Sequence, residues 1–243
     1  MRRVTILGVP FIHIDQDGFV SLLEERISEK KKTFVVTANP EIVMLAQEND
    51  EFMRLAHEAD FVTADGVGVV KGAQLLGEPL PGRVTGFDTI HELFNRGDEK
   101  GYRFYFLGAK PEIIETAQEK IVSQYPGLEI VGYRDGYFDW DDPSVAQNIR
   151  DANPDIVLVG LGAPRQEKWI SEHLDEFDHG VFIGVGGSFD GIAGTMKRAP
   201  KIWQKLNLEW LYRLFQQPSR WRRMLALPRF GLKILKQKVK GSR

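Results

Sequence analysis

An aspartate that directly follows an apolar run is the first side chain in this sequence with the chemistry of a catalytic base. Asp65 comes after the apolar residues 61–63 and before Gly66-Val-Gly68. A carboxylate at the end of a strand can accept the proton of an attacking hydroxyl, provided that its pKa suits the step. Aspartate is also a favoured N-cap of helices. The sequence leaves general base and helix cap open as alternatives for Asp65.

A hydroxyl, an amide and a guanidinium occur in two further segments that suit a binding site. Thr37 ends an apolar run, and we expect its hydroxyl to face the same crevice as Asp65. Asn39 precedes a proline, so a capped helix start is the better interpretation of Asn39 alone. Arg83 lies in a loop punctuated by glycine and proline, where a long cationic side chain can reach a phosphate or a developing charge.

Two glycine-containing segments have the pattern of anion-binding loops. Gly162 begins a segment that follows the most apolar run of the chain and opens a predicted helix, so unpaired backbone amides are expected to face the crevice. Gln166, in the same segment, can both donate and accept hydrogen bonds, as sugar hydroxyls require. Gly186 opens a second segment, which runs to Asp190 and has the glycine content of a loop that a nucleotide approaches closely.

The elements that must position these residues follow from the alternation of apolar runs with stretches of helical period, which is typical of βαβ units around a parallel sheet. Strands are predicted at 4–7, 34–37, 61–63, 103–107, 129–133, 156–160 and 181–185, and helices at 15–31, 40–58 with a break near Asp50, 67–76, 87–99, 111–124, 143–151 and 165–177. The predicted fold is α/β, a Rossmann-like three-layer sandwich with a mainly parallel sheet. In such sheets ligands gather at the carboxyl ends of the strands.

The charge of the chain is divided unevenly along its length. Residues 1–196 contain 18 Lys and Arg against 33 Asp and Glu, whereas residues 197–243 contain 14 against the single Glu209. We therefore predict an α/β catalytic core at 1–196 and a basic helical appendage at 197–243. Apolar residues at helical spacing predict an amphipathic helix over 201–215. Basic residues mixed with Trp, Phe and Leu are typical of a segment that lies on an anionic membrane surface.

Several classes of protein lose support from the sequence. The absence of cysteine removes disulfides and thiolate sites, and it suits a cytoplasmic location. Neither a P-loop nor a dinucleotide fingerprint occurs, so a nucleotide-binding Rossmann oxidoreductase remains an alternative without its motif. An adaptor that uses the basic appendage alone is a second alternative, but an acidic core disfavours nucleic acid as a partner. No run approaches the roughly 20 apolar residues that cross a bilayer, so membrane contact is predicted to be peripheral.

A metal site is also not expected. Asp139 and Asp141 have the spacing of metal-binding aspartates in many sugar transferases, but they precede Asp142-Pro143 at a predicted helix start, which favours capping. The five histidines have no ligand spacing with one another.

Taken in order along the chain, these motifs resemble those of the WecG/TagA/CpsF glycosyltransferase family. The resemblance rests on Thr37-Ala-Asn39-Pro40, Ala64-Asp65-Gly66, residues 81–86, 162–169 and 186–190, and the region 209–223. It covers nearly the whole chain, and the long basic appendage is similar to that of the TagA branch. It implies an inverting, metal-independent N-acetylmannosaminyltransferase without a cofactor. UDP-N-acetylmannosamine would be the donor and the 4-hydroxyl of N-acetylglucosamine on undecaprenyl diphosphate the acceptor, in wall teichoic acid linkage-unit synthesis.

The resemblance also implies roles for individual residues. Asp65 would be the base, Thr37, Asn39 and Gln166 would hold the sugars, and Arg83 would act on the developing charge. Three arginines of the appendage, Arg213, Arg220 and Arg223, would close over the diphosphate. Further contacts to the UDP-sugar are expected at strand ends and glycine loops, namely Gly108, Gly136, Tyr137, Gly162, Gly186 and Asp190. The enzyme would act on the inner face of the cell membrane. The sequence leaves open a different donor, such as UDP-N-acetylmannosaminuronic acid, and a homo-oligomer.

Overall fold

A computed structural model describes residues 1–196, 199–200, 202–203, 206, 208–218 and 221–241, without the side chains of Arg213 and Lys240. The predicted α/β class is confirmed. A six-stranded sheet, in which every neighbouring pair of strands is parallel, lies between two layers of helices. This arrangement is the predicted three-layer sandwich.

The strands of the main sheet match the predicted apolar runs to within two residues at each end. The order across the sheet is β4-β3-β8-β7-β5-β6. The bounds are β3 (Lys32–Ala38), β4 (Phe61–Ala64), β5 (Arg103–Gly108), β6 (Glu129–Arg134), β7 (Ile156–Gly160) and β8 (Gly180–Gly184). The apolar runs have no alternation because helices cover the sheet on both faces.

The start of the chain differs from the prediction. The apolar run at 4–7 is not a strand of the main sheet, because β1 (Arg3–Ile6) pairs antiparallel with β2 (Val9–Ile12) in a separate two-stranded sheet. The two strands are joined at Leu7 and Gly8, both with positive φ, 48° and 84°. Two consecutive residues of this kind form the turn that favours a tight hairpin.

The helices predicted between residues 15 and 177 begin and end within a few residues of their predicted positions, whereas the helices at 188–193, 221–224 and 226–241 were not predicted. The bounds are α1 (Gln16–Ser28), α2 (Pro40–Ala46), α3 (Asp50–Glu58), α4 (Val67–Leu76), α5 (Gly86–Lys100), α6 (Pro111–Gln124), α7 (Ser144–Ala152), α8 (Arg165–His173), α9 (Ser188–Ala193), α10 (Glu209–Gln216), α11 (Trp221–Met224) and α12 (Ala226–Gly241). Asn49 caps α3, which explains the break predicted near Asp50. In the described part of the chain, no helix combines the length and apolar character needed to cross a membrane.

The last helix is part of the folded core. Phe230 and Ile234 of α12 are 4% and 1% exposed and belong to the apolar cluster on the face of the sheet that carries α2 and α4. A Cβ at Gly72 would lie 3.1 Å from the Phe230 ring, so a glycine lets α12 approach α4 closely. The division into a core and an appendage after residue 196 stays a prediction, but the end of the appendage packs on the core through apolar contacts.

Candidate active site

The carboxyl edge of the parallel sheet carries the predicted core residues of the site, apart from the loop residue Arg83. Across the sheet, the strand ends present Asp65 after β4, Thr37 and Asn39 at β3, Gly186 after β8, Gly162 after β7, Gly108 at β5 and Gly136 after β6. Neighbouring strands lie roughly 4.8 Å apart, so β4 and β6 end about 24 Å from one another. The predicted residues are therefore spread along this edge of the sheet rather than gathered in a single contact group.

Asp65 is not the cap of the helix that follows it. The N-cap of α4 is Gly66, which makes no side-chain cap hydrogen bond. Instead, Asp65 Oδ1 accepts a hydrogen bond of 3.2 Å from the backbone N–H of Gly86, the first residue of α5. The carboxylate is half-buried. The interpretation of Asp65 as the cap of α4 is therefore wrong. Its carboxylate instead binds Gly86, which follows the loop that carries Arg83.

Thr37 packs against Gly86, the residue whose backbone N–H binds Asp65. A Cβ at Gly86 would lie 3.1 Å from Thr37 Cγ2, so Gly86 packs against this threonine while its N–H binds Asp65. The Thr37 hydroxyl donates a hydrogen bond of 3.0 Å to the carbonyl oxygen of Gly184, at the end of the adjacent β8. Thr37 thus contacts Gly86 on one side and the end of β8 at Gly184 on the other.

Close packing, not turn geometry, explains the glycines after Asp65. Gly66 has a φ of −115°, which any residue adopts. A Cβ at Gly66 would lie 2.8 Å from Pro40 Cδ, and one at Gly68 would lie 2.7 Å from Pro40 Cγ. The first turn of α4 is therefore pressed against the first turn of α2. Asn39 caps α2 by accepting a hydrogen bond of 3.1 Å from Ile42 N–H, as its sequence position favoured.

Gln166 ties two glycine loops together. Its Oε1 accepts hydrogen bonds from Gly162 N–H at 3.2 Å and Gly186 N–H at 3.0 Å, and its Nε2 donates to Glu167 Oε1 at 2.8 Å. Gly162 and Gly186 have φ of 76° and 52°, and a Cβ on either would meet open space. The prediction of unpaired amides in the Gly162 segment is therefore wrong for Gly162 and Gln166, because Gln166 Oε1 occupies the N–H of Gly162 and the N–H of Gln166 donates to Gly162 O at 3.0 Å. What the two glycines leave is open space beside the backbone.

Glu167 is a feature of the site that the sequence reasoning missed. Its side chain is 0% exposed, and burial raises its pKa from 4.5 to about 7, against the opposing effect of the hydrogen bond from Gln166. Its Oε2 has no hydrogen-bond partner within the described ranges. A Cβ at Gly184 would lie 2.6 Å from Gln166 Nε2 and 3.3 Å from Glu167 Oε1, so only glycine leaves room for this pair. In the sequence, Glu167 was distinguished only by its position directly after Gln166.

The remaining predicted contacts lie farther along the crevice. Gly108 has a φ of 122°, and a Cβ there would meet the Gly160 backbone at 2.4 Å, so this glycine is required by strand packing. The N–H of Gly136 donates to Ala109 O at 2.8 Å. Tyr137 is 68% exposed next to the edge strand β6, remote from Asp65. Asp190 lies in the first turn of α9.

The aspartates at 139–142 form turns. Asp139 Oδ1 accepts a hydrogen bond of 3.3 Å from Asp141 N–H, and Asp142 Oδ1 accepts one of 3.0 Å from Ser144 N–H. Hydrogen bonds from Ser144 lower the pKa of Asp142. The capping predicted for Asp139 and Asp141 is wrong, because the N-cap of α7 is Pro143, which makes no side-chain cap hydrogen bond. Asp139 closes a turn, and Asp142 is the aspartate that binds the first N–H of α7. Among the residues with described positions, no group of three or more potential metal ligands comes together.

The described part of the appendage reaches the loop of Arg83 through Glu209. Arg83 Nη1 donates a hydrogen bond of 3.1 Å to Glu209 Oε2, the first residue of α10. Helix α10 falls in the second half of the helix predicted at 201–215, several residues of which lie outside the described ranges. Arg223 is exposed on α11. Arg220 and the side chain of Arg213 lie outside the described residues, so the closure of the three arginines over a diphosphate stays a prediction.

Comparison with known proteins agrees with the resemblance that the motifs indicated. The profile of the "Glycosyl transferase WecG/TagA/CpsF family" matches residues 4–243. Proteins named N-acetylglucosaminyldiphosphoundecaprenol N-acetyl-beta-D-mannosaminyltransferase are similar over most of their length. Those of Bacillus spizizenii and Bacillus subtilis are each 40% identical, over 97% and 98% of this chain and 92% and 93% of their own. A Staphylococcus aureus protein of the same name is 37% identical over 98% of this chain and 94% of its own. The chain therefore belongs to the WecG/TagA/CpsF family of glycosyltransferases, and it is not the oxidoreductase that was the alternative.

Proposed function

We propose that this enzyme transfers N-acetylmannosamine from UDP-N-acetylmannosamine to the 4-hydroxyl of N-acetylglucosamine on undecaprenyl diphosphate, a step of wall teichoic acid linkage-unit synthesis. The names of the relatives support the acceptor and the transferred sugar. The observation that carries the proposal is the position of Asp65, a half-buried carboxylate at the carboxyl edge of the sheet that is bound to a neighbouring loop instead of capping its own helix.

Asp65 acts as the general base of the transfer. It accepts the proton of the acceptor hydroxyl while the hydroxyl oxygen forms a bond to C1 of the donor sugar, and the bond from C1 to the UDP oxygen breaks on the opposite face. UDP leaves with the bonding electron pair, so the configuration at C1 is inverted. The hydrogen bond from Gly86 N–H to Oδ1 holds the carboxylate at the edge of the sheet where the acceptor hydroxyl is expected.

Backbone amides and arginines stabilise the departing UDP. Helix α4 begins at this edge without a side-chain cap, so its first N–H groups are suited to phosphate oxygens. Gly162 and Gly186 leave open space beside the backbone for the nucleotide. Arg83 and the appendage arginines supply positive charge for the diphosphate, the task that a metal ion has in many other transferases.

The appendage holds the enzyme on the inner face of the membrane. Its excess of Lys and Arg suits an anionic leaflet, and large apolar side chains among them are exposed, including Phe215 at 67%, Trp221 at 54% and Val239 at 64%. Such a surface binds at the boundary between headgroups and acyl chains. Docking there brings the site to its lipid-linked acceptor.

An assay with a short-chain lipid-diphosphate N-acetylglucosamine acceptor and a panel of UDP-sugars, read by mass spectrometry, tests the proposal. We expect a product with UDP-N-acetylmannosamine and almost none with the matched Asp65→Asn variant. Product formed with UDP-N-acetylmannosaminuronic acid instead would refute the donor assignment. Failure of every UDP-sugar would refute the reaction itself.

A further inference from the structure

We propose that Glu209 is a positioning residue for Arg83, through which the docked appendage sets the direction of the guanidinium in the crevice. The inference rests on the proposed function, because it assigns Glu209 a part in the same transfer.

The charge of the appendage makes Glu209 exceptional. It is the only acidic residue of 197–243, where 14 Lys and Arg occur. A segment that uses positive charge to approach anions gains nothing from one carboxylate on its free surface. Glu209 instead lies against Arg83, 126 residues away in sequence. The single acidic side chain of the appendage is therefore placed against Arg83 of the pocket loop, residues 77–85 between α4 and α5.

The surroundings of the ion pair favour a well-defined geometry. The side chains of Arg83 and Glu209 are 27% and 18% exposed, so water screens the pair less than it screens a surface ion pair. Of the polar groups in the described part of the chain, Glu209 is the one that Arg83 contacts. The guanidinium is planar with five N–H donors in fixed directions, so a bond to Nη1 also orients the donors that remain.

The backbone next to Arg83 is already fastened beside the base. Val84 N–H donates to Ala64 O at 3.0 Å, directly before Asp65, and Gly86 N–H donates to Asp65 itself. The freedom that remains at Arg83 is therefore the rotation of its long side chain. Glu209 restrains that rotation, so the carboxylate completes an arrangement that the loop backbone begins.

The first test is Glu209→Gln in the full chain, with Glu48→Gln as its matched control. Glu48 also pairs with the appendage, through Arg229 on α12, but both partners are exposed and neither touches the pocket loop. A misdirected Arg83 guanidinium would no longer stabilise the charge that develops on the departing UDP in the transition state. We therefore expect kcat to fall about 10-fold or more in Glu209→Gln, with KM for the UDP-sugar changed little. Glu48→Gln should keep kcat within about two-fold of the parent. Equal effects in the two variants, or no loss in Glu209→Gln, would overturn the inference.

Charge exchange separates positioning from simple fastening. The double variant Arg83→Glu with Glu209→Arg rebuilds an ion pair between the loop and α10 but removes the cation from the loop side. We expect no recovery of kcat. Recovery to near the parent value would show that the pair only attaches the appendage, which would overturn the inference.

A readout that does not depend on turnover distinguishes this inference from the proposed function. Phenylglyoxal modification of Arg83, followed by peptide mass spectrometry on the free enzyme, should be several-fold faster in Glu209→Gln than in the parent or in Glu48→Gln. If the parent transferred no UDP-sugar, the proposed function would fail, and unchanged modification rates would independently refute the positioning of Arg83.

Discussion

Replacing Glu167 by glutamine should change how stability depends on pH. The side chain is fully buried, and burial raises its pKa from 4.5 to about 7. Because the pKa is higher in the folded state, the folded protein binds this proton more tightly than the unfolded chain does. The resulting stabilisation is complete below pH 4.5 and is lost as the pH rises through about 7.

The size of the effect follows from the same shift. At about 1.4 kcal/mol for each pKa unit, a rise from 4.5 to about 7 corresponds to a loss of about 3 kcal/mol in the free energy of unfolding between these two pH values. Glutamine has nearly the same shape, keeps an oxygen that can accept from Gln166 Nε2, and does not titrate. The Glu167→Gln variant should therefore lack this loss, so its stability relative to the parent should rise with pH.

Urea unfolding of parent and variant at intervals from pH 4.5 to 8 measures the difference. We expect the stability of Glu167→Gln relative to the parent to increase by about 3 kcal/mol across this range. Glu119→Gln, an exposed position on α6, is the matched control and should show no such trend. A relative stability of Glu167→Gln that stays flat with pH would refute the assignment of a raised pKa to this buried carboxyl.

Other expected outcomes concern catalysis and the appendage. Asp65→Asn should lower kcat by roughly 100-fold or more while calorimetry shows unchanged UDP affinity, and activity within a few-fold of the parent would rule out Asp65 as the base. Transfer should persist in EDTA, and a strict requirement for added Mn²⁺ or Mg²⁺ would contradict the metal-independent mechanism. Phe230→Ala should destabilise the protein by about 3 kcal/mol in urea unfolding, because the ring is buried against Gly72, and an unchanged midpoint would show that α12 is not docked in solution.

The fold of the central sheet could be predicted because its sequence signal is strong. Strands such as β7 and β8 are buried on both faces, so their residues are apolar without alternation and stand out from the helices around them. Parallel strands bring their carboxyl ends to the same edge, so the positions of Thr37, Asp65 and Gly162 in the crevice followed from the strand assignment alone.

The first strands were harder to assign because their apolar residues form one run. The hairpin depends on positive φ at Leu7 and Gly8, and leucine gives no signal for this conformation. The pattern at 4–12 is therefore equally typical of a single strand. Only the packing of β1 and β2 outside the main sheet distinguishes the two.

The partners of the site residues could not be predicted because they are distant in sequence. Thr37 binds Gly184 across 147 residues, and no local pattern indicates that Gly184 must lack a side chain to admit Gln166 and Glu167. Glycine at such a position has the same appearance in sequence as glycine in a ligand loop. The difference between Gly184, which makes room for a buried pair, and Gly162, which faces open space, exists only in the folded protein.

The way in which the appendage is attached has a consequence for its charge. Its described attachments to the core include apolar contacts of Phe230 and Ile234, the ion pair in which the appendage supplies the carboxylate of Glu209, and an exposed ion pair in which it supplies the cation of Arg229 to Glu48. Each pair of the Arg229 kind consumes one of the cations that the proposed function needs. Because Glu209 supplies the negative partner, that contact neutralises no cation of the appendage, and side chains such as Arg223 remain exposed. They are then available to a diphosphate or an anionic lipid headgroup while the appendage stays docked.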